Sequence, residues 1–327
     1  MEILQYEPSM KARWDAFVDK SKNGTFLLKR DYMEYHSDRF KDHSFVFVDN
    51  DGKFTALLPA NIEGDVLYSH KGLTYGGLIM SDRTSGGEPL EMFALLKERL
   101  SELGIRKLVY KAIPHIYHRQ PAEEDLYALF RFGATLSVRN LSTAIEMREP
   151  MRSSRLGKRA LKRQRQNDIV VEEVDCVSSF WDIIVEDRRV RHNVRPVHTA
   201  DELNCLKSKF PENIRIYIAT VPASQDGSGA VDAGIASARK IVGGAVIYLD
   251  KGVIHLQYAA CTPQGKDLYA TDVIYHELIF NIFPQSCYFD FGISNEDAGR
   301  YLNQGMVAHK EEFGGRSVVY DIYEMDI

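Results

Sequence analysis

The sequence predicts an α/β protein made of two similar domains, and three observations carry that expectation. At 327 residues the chain is longer than one compact domain usually needs. Its apolar fraction of 44% is enough for two ordinary cores. Both halves also close on one pattern of helix, strand, short helix, glycine and strand, with Gly133 and Gly305 in matching places. The repeat is one of pattern and not of letters. The boundary is expected near residue 150, giving domains 1–150 and 151–327 with mixed, mainly antiparallel sheets.

The elements follow from periodicity. A strand "EILQY" precedes a helix holding Trp14, Phe17 and Val18. "SFVFVD", "KFTALLPANI" and "DVLYSH" alternate between Asp-Gly and Gly-Asp turns and read as an antiparallel meander. In "EPLEMFALLKERLSELG", Pro89 starts a helix, Phe93, Leu96, Leu100 and Leu103 share a face, and Gly104 stops it. A strand "KLVYKAI", a short helix in "AEEDLYALFRFG" and a strand from Ala134 towards Met147 complete the half. The second half ends likewise, with the helix "LYATDVIYHELIFNIF", the strand "CYFDFGI", a short helix "NEDAGRYLNQG" and a closing strand "SVVYDIYEM". The small, polar, aperiodic stretch 221–239 between the strands "IRIYIAT" and "KIVGGAVIYLD" is expected to be a mobile hairpin tip.

Composition removes several classes. Cys176, Cys205, Cys261 and Cys287 lie far apart with no CxxC pair, which argues against a structural zinc site and a disulfide framework. The N-terminus lacks an apolar signal core, and "IVGGAVIYL" is too short to span a bilayer, so a cytoplasmic protein without a membrane span is expected. The net charge of −5 hides an asymmetry. Residues 148–165 hold eight Lys and Arg against Glu149, on a body with 33 basic and 45 acidic residues. That island is either a site for an anionic partner or a solvated helix at a domain junction.

Chemistry concentrates late in the chain. Ser294, with Asp297 three residues on, has capping-box spacing, so a helix N-terminus able to hold an anion or a polarised carbonyl is expected there. Tyr301 is either a reactive phenol or a core aromatic. Asp290, between two phenylalanines, is either a buried acid that takes the acceptor's proton or a structural carboxylate. Alternation sends His255 and Gln257 to one face of a strand and Tyr258 to the other. His198 follows Pro196 just before a helix, as a base or binder or a plain loop histidine. "SHKGLTYGGLI" is too irregular for a phosphate loop, but it can turn Lys71 and Tyr75 towards a cleft. Lys310, ahead of Phe313 and paired glycines, is either a charge-stabilising ammonium or an exposed lysine paired with a nearby Glu.

Asn295, Ala298, Tyr301 and Gly305 after a strand resemble the late motif of GNAT-type N-acyltransferases, whose helix tyrosine protonates the departing thiolate. In their order along the chain, "SHKGLTYGGLI", "PAEEDLYALFRFGA", "HLQYAAC", "FDFGIS" and "HKEEFGG" resemble the Fem family of peptidyltransferases, which are tandem GNAT domains. The resemblance covers nearly the whole chain. It implies a lysine that neutralises charge during amide formation, at Lys310, where Gly314 and Gly315 let the backbone approach closely. It also implies that Tyr258 lies near the acceptor, with a packed tyrosine as the alternative; Gln257 is the further candidate for binding substrate.

Two departures qualify the donor. The GNAT pyrophosphate loop is here "TPQGKDLYA", with the single glycine Gly265; amides near it and the Lys266 ammonium remain to take phosphate, with Arg159 from the basic island. The helical arm of tRNA-using Fem enzymes has no heptad counterpart here. No Cys or Ser has a paired base at readable spacing, so direct attack without an acyl-enzyme is expected. The resulting expectation is an N-acyltransferase joining an acyl-CoA-like donor to an amine acceptor in an interdomain cleft, without a metal. The alternatives are an aminoacyl-tRNA-dependent transferase acting on a cell-wall precursor, and a degenerate GNAT pair that only binds a ligand.

Overall fold

The computed structural model describes residues 1–148, 154–192, 194–223 and 239–327. They form two compact units. One comprises Met1–Ser142, Ile293–Asn303 and Val318–Ile327; the other comprises Thr143–Gly292 and Gln304–Ser317. The units are therefore not contiguous halves, because the chain twice returns to the first. The boundary expected near residue 150 lies outside the described residues, as does the stretch 221–239 expected as a hairpin tip, apart from residues 221–223 and 239.

The first unit opens with β1 (Glu2–Gln5), α1 (Lys11–Lys20) and α2 (Arg30–Met33). Next come β2 (Phe45–Val48), β3 (Phe54–Leu58), β4 (Asn61–Glu63), β5 (Val66–Tyr68) and β6 (Ile79–Met80). It continues through α3 (Glu88–Glu102), β7 (Lys107–Lys111), α4 (Glu124–Arg131) and β8 (Thr135–Glu146). β1, β2, β3 and β6 form an antiparallel sheet in that order. The rest is no meander: β4 pairs antiparallel with β5, and β5 runs parallel to β7. α3 buries Met92, Phe93, Leu96 and Leu100, whereas Leu103 is its exposed C-cap. The buried rings of His36 and His70 stack 5.2 Å apart, and burial lowers both pKa values, that of His70 to about 3.

The second unit holds α5 (Arg155–Gln166), β9 (Val170–Val174), α6 (Trp181–His192) and α7 (Ala200–Lys209). After them come β10 (Ile214–Pro222), β11 (Arg239–Asp250), β12 (Val253–Cys261), α8 (Pro263–Asp267), α9 (Ala270–Glu277) and β13 (Tyr288–Ile293). β9 to β12 are antiparallel neighbours in sequence order, while β13 lies parallel to β12. Ile254, Leu256, Phe289 and Phe291 pack with Val273 and Ile274 of α9 in one apolar core. A capping box of Thr199 and Glu202 starts α7.

The segment expected as a short helix after β13 is a hairpin of β14 (Asn295–Glu296) and β15 (Tyr301–Leu302). Asp297, Ala298 and Gly299 turn it with φ of 49°, 48° and 85°, a left-handed path that no right-handed helix can take. Asn295 clamps the turn, donating from Nδ2 to Gly299 O at 3.2 Å and accepting from Leu141 N. The helix comes later, as α10 (Gln304–Glu312), so Gly305 lies in its first turn and Lys310 lies inside it. Gly314, at φ 104°, and Gly315, whose N–H reaches Lys310 O at 3.2 Å, end α10; that is the work of the glycine pair. β16 (Arg316–Asp326) then pairs antiparallel with β7.

Candidate functional site

The site is built on β12 and β13, which pair over three positions only: Val253 with Tyr288, Ile254 with Phe289, and His255 with Asp290. Ile254 and Phe289 point into the α9 core, so His255 and Asp290 point to the opposite face. There His255 Nδ1 lies 2.8 Å from Asp290 Oδ2. Asp290 is fully buried, and its Oδ1 accepts the Gly292 N–H at 3.0 Å. Gly292 has φ 76°, and this left-handed step turns its carbonyl to accept from Lys310 Nζ at 2.7 Å.

α10 delivers that lysine. Phe313, just past its end, seats it against Tyr275 and Phe291, and His309 holds Asp272 at 3.0 Å. Lys310 is 7% exposed, and burial pushes its pKa down to about 8 against the upward pull of Asp290. A buried ammonium that stays charged at neutral pH beside a carboxylate–imidazole pair can stabilise a developing oxyanion.

A bulge adds the next group. Val246 pairs with Tyr258 and Ile247 with Leu256, so Gln257 is the extra residue of β12. Strict alternation puts Tyr258 opposite His255, but the bulge moves it to the same face. Val246 and Tyr248, the cross-strand partners of Tyr258 and His255, are themselves two apart on β11. The Tyr258 hydroxyl is 2.8 Å from His198 Nδ1, and both residues are buried. Trp181 meets the phenol ring edge-on at 5.9 Å, and the Arg188 guanidinium lies 5.9 Å from its centre. Burial raises the Tyr258 pKa, so the phenol keeps its proton.

The second unit thus holds Lys310, Asp290, His255, Tyr258 and His198, with Gln257 half-buried at the bulge. The other expected residues are placed differently. Tyr301 is 58% exposed on the hairpin and belongs, with Ser294, to the first unit. Ser294 starts no helix: its N–H donates to Leu141 O and its carbonyl accepts from Asn303 N, which ties down the hairpin. Lys71 is exposed and paired with Glu63 at 2.7 Å, whereas Tyr75 is buried in the first unit with Tyr117 and Tyr320.

Gly265 serves packing. A Cβ there would lie 2.0 Å from Val242 O, and its N–H already donates to Thr262 Oγ1 at 3.0 Å. Lys266 is exposed, and the Arg159 guanidinium lies 4.4 Å over the Tyr269 ring, with Arg163 at 5.6 Å. On α5 the cations Arg155, Lys158, Arg159, Lys162, Arg163 and Arg165 are all exposed, and Leu156, Gly157 and Ala160 face inward.

Sequence reasoning missed the His255–Asp290 pair, Gly292, Trp181 and Arg188. The parallel register joining His255 to Asp290 leaves no local signal, since it depends on how two strands 35 residues apart align. Among the described residues no group of three or more His, Cys, Asp or Glu could hold a metal ion, and no helix is long and apolar enough to cross a membrane.

No protein-family model matches the chain, and no curated protein matches its sequence. Solved structures do match its fold. One is described as FemX, with 10% identity over 100% of this chain and 98% of that one and a TM-score of 0.70. Another is L-PGS from Bacillus licheniformis, with 15% identity over 98% and 92% and a TM-score of 0.58. A third is a tandem GNAT protein from the clavulanic acid biosynthesis pathway, with 10% identity over 99% and 98% and a TM-score of 0.51. The fold is the tandem GNAT fold, and it resembles that of the Fem protein over its full length.

Proposed function

We propose that the protein is an N-acyltransferase that joins an activated acyl group, carried by a donor of the acyl-CoA kind, to the amine of an acceptor. One observation carries the reading: the buried Lys310 ammonium, fixed on Gly292 O and flanked by Asp290, at the point where the pairing of β12 and β13 ends. In aminolysis the amine nitrogen bonds to the acyl carbon, the carbonyl oxygen gains negative charge, and the bond to the leaving group then breaks with its electron pair. Lys310 stabilises that oxygen more in the transition state than in the ground state. The remainder is positioning by a rigid sheet.

A second reading, aminoacyl transfer from tRNA to a cell-wall precursor, is favoured by the six exposed cations of α5. A thermal-shift panel of coenzyme A, acetyl-CoA, UDP-linked precursors and tRNA separates the two. A true donor at a hundredfold its dissociation constant adds about 2.7 kcal/mol of stability. Response to acetyl-CoA with acyl transfer supports the first reading, and response to tRNA alone supports the second. Binding without transfer to any amine tested reduces the protein to a ligand-binding GNAT pair.

A further inference from the structure

α10 seats one side chain fully, and it is a charged one. Of its nine residues only Lys310 is buried; Met306, Val307 and His309 are half-buried and the rest are exposed. Apolar packing along the helix therefore does little to fix how it is turned about its axis. A polar contact supplies what is missing: His309 Nε2–H donates to Asp272 Oδ1 at 3.0 Å. We propose that Asp272 and His309 are positioning residues that set the rotation of α10 and so hold the Lys310 ammonium on Gly292 O. The inference rests on the acyl-transfer reading for its effect on turnover, and it adds to that reading the residues that aim the charge.

The arrangement fixes the helix at two points. Consecutive residues of an α-helix point about 100° apart around the axis. His309 and Lys310 therefore reach in different directions, one to α9 and the other to the Gly292 carbonyl. A single contact leaves the helix free to turn about it, and two at this angle do not. The α9 end is firm. Asp272 is 4% exposed in the first turn of α9, where unpaired N–H groups favour its charge, and Val273 and Ile274 beside it lie in the apolar core. Phe313, past the end of α10, meets the His309 ring edge-on at 5.6 Å and continues the contact to Tyr275 and Phe291.

Lys310 reports its own position. Its pKa is lowered to about 8 because burial strips the ammonium of water, against the upward pull of Asp290. A helix that turns brings Nζ into solvent and returns the pKa towards the ordinary lysine value of 10.5. Loss of the Asp272 charge alone acts in the opposite sense, since removing a nearby anion lowers the pKa of an ammonium. Position and charge are therefore told apart by the sign of one shift.

The test uses the full chain labelled with 13C-lysine and follows the Lys310 Cε signal through a pH titration, with Lys310→Arg identifying that signal. His309→Ala and Asp272→Ala should each raise the Lys310 pKa by roughly one pH unit or more. His309→Gln, whose amide still donates to Asp272, should leave it at about 8. Acetyl transfer from acetyl-CoA to lysine should fall roughly ten- to a hundredfold in kcat in both Ala variants, with little change in KM. The alkaline limb of the rate should move upward with the pKa. An unchanged Lys310 pKa in the folded Ala variants overturns the inference and leaves the contact a stabilising one only. A pKa lowered in Asp272→Ala overturns it too, since Asp272 then acts by charge. His309 is only half-buried, so His309→Ala decides the question even where Asp272→Ala fails to fold. Wild-type protein that transfers no acetyl group overturns the acyl-CoA reading, while the titration still decides whether the pair positions Lys310.

Discussion

His255 and Tyr258 stand on the same face of β12 although they are three positions apart, because Gln257 has no partner on β11. One extra residue therefore decides which aromatic and titratable groups meet. Without it Tyr258 would enter the α9 core and lose His198. The composition of that face depends on the bulge as much as on any side chain.

Lys310 sets the first prediction. Its pKa of about 8 lies below the ordinary lysine value, so the ammonium is present below that pH and is lost as pH rises through it. Turnover should fall on the alkaline side near pH 8. Lys310→Ala should lower turnover roughly a hundredfold with little change in substrate affinity. Lys310→Arg should recover only part of the rate, since its charge sits on a larger planar group, but should shift the alkaline limb upward. Near-normal turnover in a folded Lys310→Ala protein removes the residue from the mechanism.

The cationic face of α5 sets the second. Replacing Arg155, Lys158, Arg159 and Lys162 together by Ala should weaken binding of an anionic donor and flatten its salt dependence. Titrations at several salt concentrations measure both. Affinity and slope equal to wild type return the helix to a solvated surface.

Gly265→Ala distinguishes packing from phosphate binding. The added methyl meets Val242 O at 2.0 Å, so the variant should lose stability, about 1–3 kcal/mol as for other overpacked sites. Thermal or denaturant unfolding reads this directly. Unchanged stability with weakened donor binding would restore Gly265 to the phosphate-binding role.

The buried pair of His36 and His70 makes the first unit sensitive to acid. The His70 pKa is depressed to about 3 against roughly 6.5 in an unfolded chain. The unfolded chain then binds more protons between those values. Stability is therefore full above about pH 6.5 and declines as pH falls towards 3, on the order of 1 kcal/mol per pH unit. His70→Asn removes the titration and tolerates the residue's φ of 66°. Its melting temperature should fall less steeply between pH 7 and 4; a slope equal to wild type sinks the assignment.

Periodic segments were legible from the sequence, and segments governed by tertiary contact were not. α3 and α4 follow from their apolar periods, and β2, β3 and β13 from β-branched and aromatic runs bounded by turns. The hairpin of β14 and β15 was mistaken for a helix because Ser294 and Asp297 have capping spacing. Asn295 instead spends its side chain on Leu141 and Gly299. Within the site, Lys310, Asp290, Tyr258 and His198 were singled out one at a time from flanking residues. Their pairing was not readable, because it depends on strand register and on a bulge, and alternation placed Tyr258 on the wrong face.

The return of β16 to β7 has a consequence for how the chain is made. Lys107 Nζ and Glu324 Oε2 meet at 2.8 Å across 217 positions of sequence, and the whole second unit is encoded between them. At ribosomal rates β7 emerges roughly 10–40 s before its partner. Throughout that interval β7 presents an unpaired edge, a ready template for another strand. The unit that is begun first is thus finished last, and the nascent chain is most open to misassembly at β7 until β16 leaves the ribosome.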